Sequence, residues 1–344
     1  MKPDWAIKAN GKDVTVTFKP YLLSIQLRDE SKDEADGLTL VLDNANTALQ
    51  APVQGDELEV LLGYEGALVS CGKFTVDHAN FSGPPDQVVI ACKSAAFATS
   101  DTNDGILQSF LTRKTRSWEP STLDAIAKKI AKEHGVELVT PGGLLLMLTP
   151  HLDQTEESDT GFLYRVIYPR GYIVKVADKK LIIARRSAGL TYNARTGESI
   201  KPTLLKLGEV SHYSGQWQER SVFTKAVAFW HDVATGQVRY ETAGEGDRTF
   251  RFKSQAPDQK TAQDWATSVL KQSQGEGGKM AITLPGRADL QSEQLVTLQG
   301  FPYPLSASPT KSAIAKQWVL KSVEHVLNRS GFTTSITGEP FIQT

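Results

Sequence analysis

Residues 57–64 read Glu-Leu-Glu-Val-Leu-Leu-Gly-Tyr, and this stretch decides the fold. Apolar side chains recur at every second position, Leu58, Val60 and Leu62, which places one set in a core and the alternate set on the other face of a strand. Five more runs with this period lie within the first 98 residues, around 14–18, 23–27, 38–42, 74–76 and 88–92. Turn sequences such as Ser82-Gly83-Pro84-Pro85 separate the runs. This arrangement predicts an antiparallel sandwich or barrel.

The whole chain has the composition of a globular protein large enough for two or three cores. It contains 344 residues, of which 40% are hydrophobic and 22% are charged. Its 38 basic and 39 acidic side chains leave a net charge of -1, so no overall positive field attracts nucleic acid or anionic lipid. The two cysteines, Cys71 and Cys92, are too few for a disulfide scaffold.

No stretch of the sequence has the length and composition of a membrane anchor. The first residues contain no apolar run that resembles a signal peptide. The longest aliphatic run, 144–148, is much shorter than the roughly 20 residues that span a bilayer. We therefore expect an intracellular protein, or one assembled inside a cell, without stable membrane insertion.

The hydrophobic period changes in residues 99–200, where we predict a small α+β module. Ser121-Thr122-Leu123-Asp124 resembles a capping box, in which Ser121 and Asp124 satisfy free amides at the start of a helix. The helix is expected to bury one apolar stripe, Leu123, Ile126, Ala127, Ile130 and Ala131, and Gly135 suits the left-handed residue after it. A second helix is predicted after Ser158-Asp159, with Pro169 ending it. Two short strands, 172–176 and 180–184, complete the module.

Strands return from residue 201, interrupted by one amphipathic helix near 258–275. The order of features in this segment matches that of the first segment, although a chance match explains it equally well. The paired features are Gly63-Tyr64 with Gly300-Phe301, Phe74 with Trp318, Val76-Asp77-His78 with Val323-Glu324-His325, and Ser82-Gly83 with Ser330-Gly331. We predict a mainly β (α+β) protein with two related antiparallel β-barrel domains, 1–98 and 201–344, and the module 99–200 between them.

The motifs of catalysis and cofactor binding are missing from the sequence. Gly275–Lys279 contains glycines and a lysine, but it lacks the spacing of a phosphate-binding loop and follows a helix instead of opening one. None of the six histidines has the spacing of a metal site. We therefore assign no catalytic, cofactor-binding or metal-binding residue and no cofactor, and we read His78, His231 and His325 as structural.

Two charged clusters leave alternatives open. Glu156, Glu157 and Asp159 could supply the carboxylate pair of a glycosidase, but negative charge is also favourable in the first turn of a helix. The basic stretch 113–132, which includes Trp118, could bind phosphates and stack a base. The net charge of -1 favours a linker and a solvated helix face over nucleic-acid binding.

The succession of motifs along the chain resembles the phage late control D protein family, the baseplate hubs of contractile tails. The sequence departs from the family pattern at Pro169, at Gly171-Tyr172 and in the apolar run 142–148. The motifs that carry the resemblance are 14–18, 23–29, 34–40, 52–56, 62–64, 72–74, 114–118, Thr122-Leu123, His134-Gly135, Gln154, 157–159, Phe162-Leu163, 284–286, Trp318, 323–325 and 331–334.

The resemblance implies a structural protein of the virion, not an enzyme. Such hubs are similar to the N-terminal hub part of type VI secretion spike proteins. The family implies a homotrimeric ring, assembled in the bacterial cytoplasm, that adapts a sixfold tail tube to a threefold central spike and also meets the tape measure protein. Two barrels in each of three subunits would supply six similar docking surfaces. The alternatives are a tail-associated cell-wall glycan hydrolase that uses Glu156, Glu157 or Asp159, and a DNA-binding regulator that uses residues 113–132.

Overall fold

A computed structural model of the chain describes residues 2–31, 36–45, 52–94, 110, 112–140, 148–149, 151–177, 180–185, 202–217, 223–302, 305 and 313–342. The fold is mainly β, as predicted. The elements are β1 Pro3–Ala9, β2 Lys12–Asp13, α1 Thr15–Phe18, β3 Leu22–Glu30, β4 Gly37–Asp43, β5 Glu57–Tyr64, β6 Ala67–Ser82, β7 Gln87–Ser94, β8 Arg113–Trp118, β9 Ser121–Thr122, α2 Leu123–Glu133, β10 Glu137–Val139, β11 Leu148–Thr149, β12 Leu152–Ser158, α3 Asp159–Ile167, β13 Tyr172–Ala177, β14 Lys180–Arg185, β15 Thr203–Lys206, β16 His212–Trp217, β17 Lys225–Asp232, β18 Gln237–Gly244, β19 Thr249–Arg251, α4 Gln259–Glu276, β20 Gly278–Pro285, β21 Leu295–Gln299, β22 Ala313–Asn328 and β23 Gly331–Ile342.

The same arrangement of six strands occurs twice in the chain. The first array has the spatial order β3-β4-β7-β6-β5-β1, and the second has the order β16-β20-β23-β22-β21-β15. If the six strands of each array are numbered along the chain, both orders read 2-3-6-5-4-1. The arrays differ at one end, because β1 pairs antiparallel with β5 whereas β15 pairs parallel with β21. The two related β units predicted from the sequence are therefore present. The run 14–18, predicted as a strand, was misassigned, because Thr15–Phe18 form helix α1 and the sixth strand of the first array is β1.

Each array wraps around a core of its own. All six strands of the first array contribute buried side chains to one cluster, which includes Ile7, Leu27, Leu40, Val60, Phe74 and Ile90. A second cluster holds the inward side chains of the other array, among them Met280, Ile282, Val296, Leu298, Trp318 and Ile336.

The middle module has a separate core, built from the predicted helices. The buried stripe of α2 consists of the five residues expected from the sequence, Leu123, Ile126, Ala127, Ile130 and Ala131. Gly135 follows α2 with a φ of 64°, as expected for the left-handed residue beyond a helix. Helix α3 ends at Ile167, and Pro169 lies in the short 3₁₀ turn Tyr168–Arg170 that follows.

The cap of α2 differs from the prediction. Thr122, and not Ser121, is the N-cap, and its side chain accepts a hydrogen bond from the Ala125 amide at 3.1 Å. Ser121 instead lies in β9, where its carbonyl accepts a hydrogen bond from Thr149. The helix therefore begins one residue later than the capping-box pattern predicted, because β9 extends as far as Thr122.

We expect Thr122→Ala to lower the free energy of unfolding of the middle module by about 1 kcal/mol, since the Ala125 amide loses its acceptor. Chemical denaturation of the purified chain measures the change. Ser121→Ala is the matched control and should shift the free energy by less than about 0.5 kcal/mol. A larger effect of Ser121→Ala than of Thr122→Ala would contradict this assignment.

A smaller unit is inserted between β16 and β20. It consists of a three-stranded sheet, β18-β17-β19, and helix α4, which occupies the region predicted as helix near 258–275. The proposed boundaries at 98 and 200, and most of the apolar run 142–148, lie outside the described residues. No helix in the described part of the chain is long and apolar enough to cross a membrane.

Candidate assembly interface

The two arrays are joined into one thirteen-stranded sheet. Ser24–Glu30 of β3 pairs antiparallel with Ser322–Asn328 of β22. These segments lie nearly 300 residues apart in the sequence, so the joint is a long-range feature of the fold. We call this pairing the internal joint.

Polar contacts fix the register of the internal joint. Buried Asp29 accepts hydrogen bonds from the Ser292 hydroxyl at 2.5 Å and from the Ser292 amide at 3.2 Å. On the other face of the sheet, Gln26 donates to Glu324 at 2.5 Å. A one-residue slip would move Asp29 to the solvent face and separate these partners.

Apolar side chains also cross the internal joint. Leu327 and Phe332 from the second array belong to the core of the first array, where the Phe332 ring lies 5.9 Å from that of Tyr64. Gly286 approaches the same ring so closely that a Cβ at this position would overlap it. Buried His325 bonds to Thr334 at 2.9 Å and to the Leu290 carbonyl at 3.3 Å, the contacts expected of a structural histidine.

The bulges of β6 and β22 correct the alignment of the sequence repeat. The Gly55 amide donates to the Val76 carbonyl, and the Val76 amide donates to the Asp56 carbonyl. In the second array, Leu320 makes the same reciprocal pair of bonds with residues 293 and 294, and both strands shift register directly afterwards. Leu320 is therefore equivalent to Val76, so pairing Val76-Asp77-His78 with Val323-Glu324-His325 was wrong by three residues. Phe74 and Trp318, both buried, were paired correctly.

The acidic cluster of the middle module does not have the properties of a glycosidase pair. Asp159 is fully buried and accepts hydrogen bonds from Lys114 and Arg116, each at 2.6 Å, and it lies 2.7 Å from His134 Nε2. Burial raises the pKa of Asp159, but bonds from His134, Lys114 and Gln154 outweigh this effect and hold the pKa well below its usual range. A glycosidase acid needs a raised pKa, which is the opposite shift.

Glu156 and Glu157, the other two members of the acidic cluster, also form hydrogen bonds with neighbouring side chains. Glu157 receives two hydrogen bonds from Arg165 Nε, at 3.0 and 3.2 Å, and a third from its Nη2 at 2.8 Å. Glu156 has a positive φ of 48° and accepts a bond from Thr115 at 3.1 Å. The cluster is therefore a network of ion pairs and hydrogen bonds that holds β8, β12 and the start of α3 together.

The basic stretch 113–132 belongs largely to the same network. Trp118 is buried, stacks on Phe162, and donates to Gln154 at 3.2 Å, so its ring faces are not presented to a base. Arg116 lies over the Trp118 ring at 4.2 Å while it pairs with Asp159 and Glu133. The expectation of a linker was wrong for Arg113–Trp118, which form β8, whereas Lys128 lies on the exposed face of α2, where it pairs with Asp124.

The remaining histidine and cysteine candidates lie on strands of the β-sheets. Exposed His78 lies 3.2 Å from Asp77, and His231 is on the strand that leads into the β17–β18 hairpin. Cys71 and Cys92 are buried free thiols, and burial raises the pKa of Cys92 to about 12. The described residues contain no cluster of three or more His, Cys, Asp or Glu side chains that could hold a metal.

Known relatives are similar to almost the full length of the chain. The profile of the family described as "Phage tail baseplate hub (GPD)" matches residues 19–331. The probable baseplate hub protein of Escherichia phage P2 is 30% identical over 98% of this chain and 92% of its own length. The corresponding protein of Escherichia phage 186 is 26% identical with the same coverage.

Solved structures share the fold at low sequence identity. The 43 kDa tail protein of prophage MuSo2 from Shewanella oneidensis has a TM-score of 0.69 and 13% identity over 98% of both chains. A tail protein from Neisseria meningitidis has a TM-score of 0.67 and 14% identity, with coverage of 98% and 97%. A type VI secretion component from E. coli, described as similar to phage T4 tail proteins gp27 and gp5, has a TM-score of 0.56 over 98% of this chain and 77% of its own. The resemblance noted in the sequence is thereby confirmed: the chain belongs to the phage tail baseplate hub family.

Proposed function

We propose that three copies of this chain form the ring of the baseplate hub and that the ring adapts a sixfold tail tube to a threefold central spike. The observation that carries the proposal is the repeated strand order, β3-β4-β7-β6-β5-β1 and β16-β20-β23-β22-β21-β15. Three chains with two such arrays present six similar units around one axis. Such a ring has threefold symmetry for a spike and nearly sixfold symmetry for a tube.

The proposed role is structural and needs no catalysis. Tail tube proteins, the central spike and the tape measure protein are the proposed partners, and the ring is assembled in the host cytoplasm before it becomes part of the virion tail. The proposed domains are 1–98 and 201–344, which supply the ring units, and 99–200, which lies between them. The ion-pair network around Asp159 supports the non-catalytic role, because its carboxylates are already engaged by Lys114, Arg116 and Arg165.

We expect size-exclusion chromatography with light scattering to give a mass of about 113 kDa, three times the 37.6 kDa of one chain. If the free chain is a monomer, the measurement is repeated with the purified spike protein, which then has to bring three copies together. A chain that stays monomeric with its spike would overturn the proposed ring.

A further inference from the structure

The ring proposed above requires a contact between copies, and the internal joint supplies a pattern for it. Past the bulge at Leu320, β22 keeps β23 on one edge, and β3 occupies the other edge. Past the equivalent bulge at Val76, β6 keeps β7 on one edge as far as Ser82. On the other edge of this segment, no strand pairs among the described residues, because the pairing of β5 with β6 ends at the pair Glu57 and Thr75.

The second array has an open edge of the complementary kind. Strand β16 occupies the place in its array that β3 occupies in the first. It pairs with β20 on one edge, and among the described residues nothing pairs with its other edge. Each chain therefore has two strand edges that the internal joint does not use. One is the edge of β16, which is equivalent to β3, and the other is the edge of β6 beyond Val76, which is equivalent to the end of β22.

We propose that Ser214–Trp217 of β16 in one copy pairs antiparallel with Ala79–Ser82 of β6 in the next copy, and thereby reproduces the internal joint between chains. The contact is heterologous, because two different surfaces of the chain meet. It alternates with the internal joint around the ring, so three copies close it with six strand joints. Open strand edges are an aggregation hazard, and this closure leaves both of them paired.

The equivalence also gives the register. Strand pairing across the first array aligns Leu27 of β3 with Leu38, and across the second array it aligns Gly215 of β16 with Met280. Leu38 and Met280 are themselves equivalent, since their neighbours Cys92 and Gly338 face Val76 and Leu320. Leu27 faces His325 in the internal joint, and the residue of β6 equivalent to His325 is Phe81. Phe81 is therefore expected to face Gly215 of the neighbouring copy.

The side chains at this predicted contact fit each other. Phe81 is 67% exposed although it lies on the core face of β6, where its partner in β7 is buried Val88. Gly215 lies between Tyr213 and Trp217, two aromatic residues on the core face of β16, and Leu305 packs over it at 2.7 Å from where a Cβ would be. Because Leu305 fills the space over Gly215, the Phe81 ring would lie against the apolar side chains of Leu305 and Tyr213 on the core face of the second array. The pairing would cover the Phe81 ring and extend the second core.

Cysteine cross-linking tests the register directly. The register places Asn80 opposite Gln216 on the outer face, so Asn80→Cys combined with Gln216→Cys should give a covalent trimer on non-reducing gels after mild oxidation. Ser70→Cys with Gln216→Cys is the matched control, because Ser70 lies on the part of β6 that β5 already covers. The native cysteines do not interfere, since both are buried.

A second variant tests the contact without cross-linking. Phe81→Ser should weaken association at least tenfold and leave the unfolding midpoint of the monomer unchanged, whereas Val233→Ser, at an 89% exposed position, should change neither. A trimer that cross-links only in the control pair, or that is unaffected by Phe81→Ser, overturns this joint but leaves the proposed ring intact. A chain that is monomeric alone and with its spike overturns both.

Discussion

Phe332→Ala is expected to lower the free energy of unfolding by about 3–4 kcal/mol, because it removes a buried ring and leaves a cavity. Phe332 is only 5% exposed, and it belongs to the core of the first array although its strand is part of the second. Gly286 is held against the ring and cannot fill the space with a side chain. The loss should therefore fall on the internal joint.

Hydrogen exchange locates this loss. Exchange in the variant, relative to wild type, should accelerate at the amides of Ser24–Glu30 and Ser322–Asn328. It should change much less at the amides of β13 and β14, which lie in the middle module. Tyr240→Ala is the matched control, since this ring is 64% exposed, and its removal should cost less than about 0.5 kcal/mol. Uniform acceleration across all three cores would show that Phe332 does not act through the joint.

Asp159→Asn is expected to destabilise the middle module by about 3–5 kcal/mol. The substitution keeps the shape of the side chain but removes the negative charge on which Lys114, Arg116 and His134 converge. Breaking a buried ion pair on one side leaves the partner charges uncompensated, and this is costlier than the loss of an exposed pair. Chemical denaturation of the purified chain, followed by hydrogen exchange at the amides of α2 and α3, reports on this core.

The effect of Asp159→Asn should depend on pH in a defined direction. Because the pKa of Asp159 is depressed in the folded chain, its charge stabilises the fold above the unfolded-state pKa of about 4, and this contribution is lost as the pH falls towards the folded-state value. The difference between wild type and variant should thus shrink as the pH falls below about 4. Asp153→Asn, at an exposed position of β12, the strand that precedes α3, is the control. An undiminished difference at low pH would contradict the assigned charge state.

Local patterns in the sequence predicted most of the elements, although the alternating run 14–18 contains helix α1 and is not a strand. The period of two in the runs around Leu40, Val60 and Ile90 identified strands, because one face of each strand lies against a core. The stripe on α2 and the glycine after it were also readable, since both follow from helix geometry. The helix cap was misplaced by one residue because Ser121 and Thr122 are equally suitable caps, and pairing with β11 decided between them.

Strand partners were not readable in the same way. Nothing in the residues of β3 indicates that β22 is its neighbour, since any alternating strand can pair with any other. The repeat was visible through Phe74 and Trp318, but its register was misread because the pattern Val-acidic-His occurs at the bulge of β6 and three residues further along in β22. The role of Asp159 was likewise hidden, because Lys114, Arg116 and His134 come from distant parts of the chain.

The internal joint also has a consequence for biosynthesis. Gln26 and its partner Glu324 are 298 residues apart in the chain. At translation rates of about 5–20 residues per second, roughly 15–60 s pass between the synthesis of β3 and that of β22. During this interval, the first array emerges with the edge of β3 unpaired, and contacts of such high sequence separation form slowly even in the completed chain. The edge of β3 is therefore exposed to aggregation throughout this interval. A nascent chain that stalls before residue 313 would present that edge to chaperones or to other nascent copies.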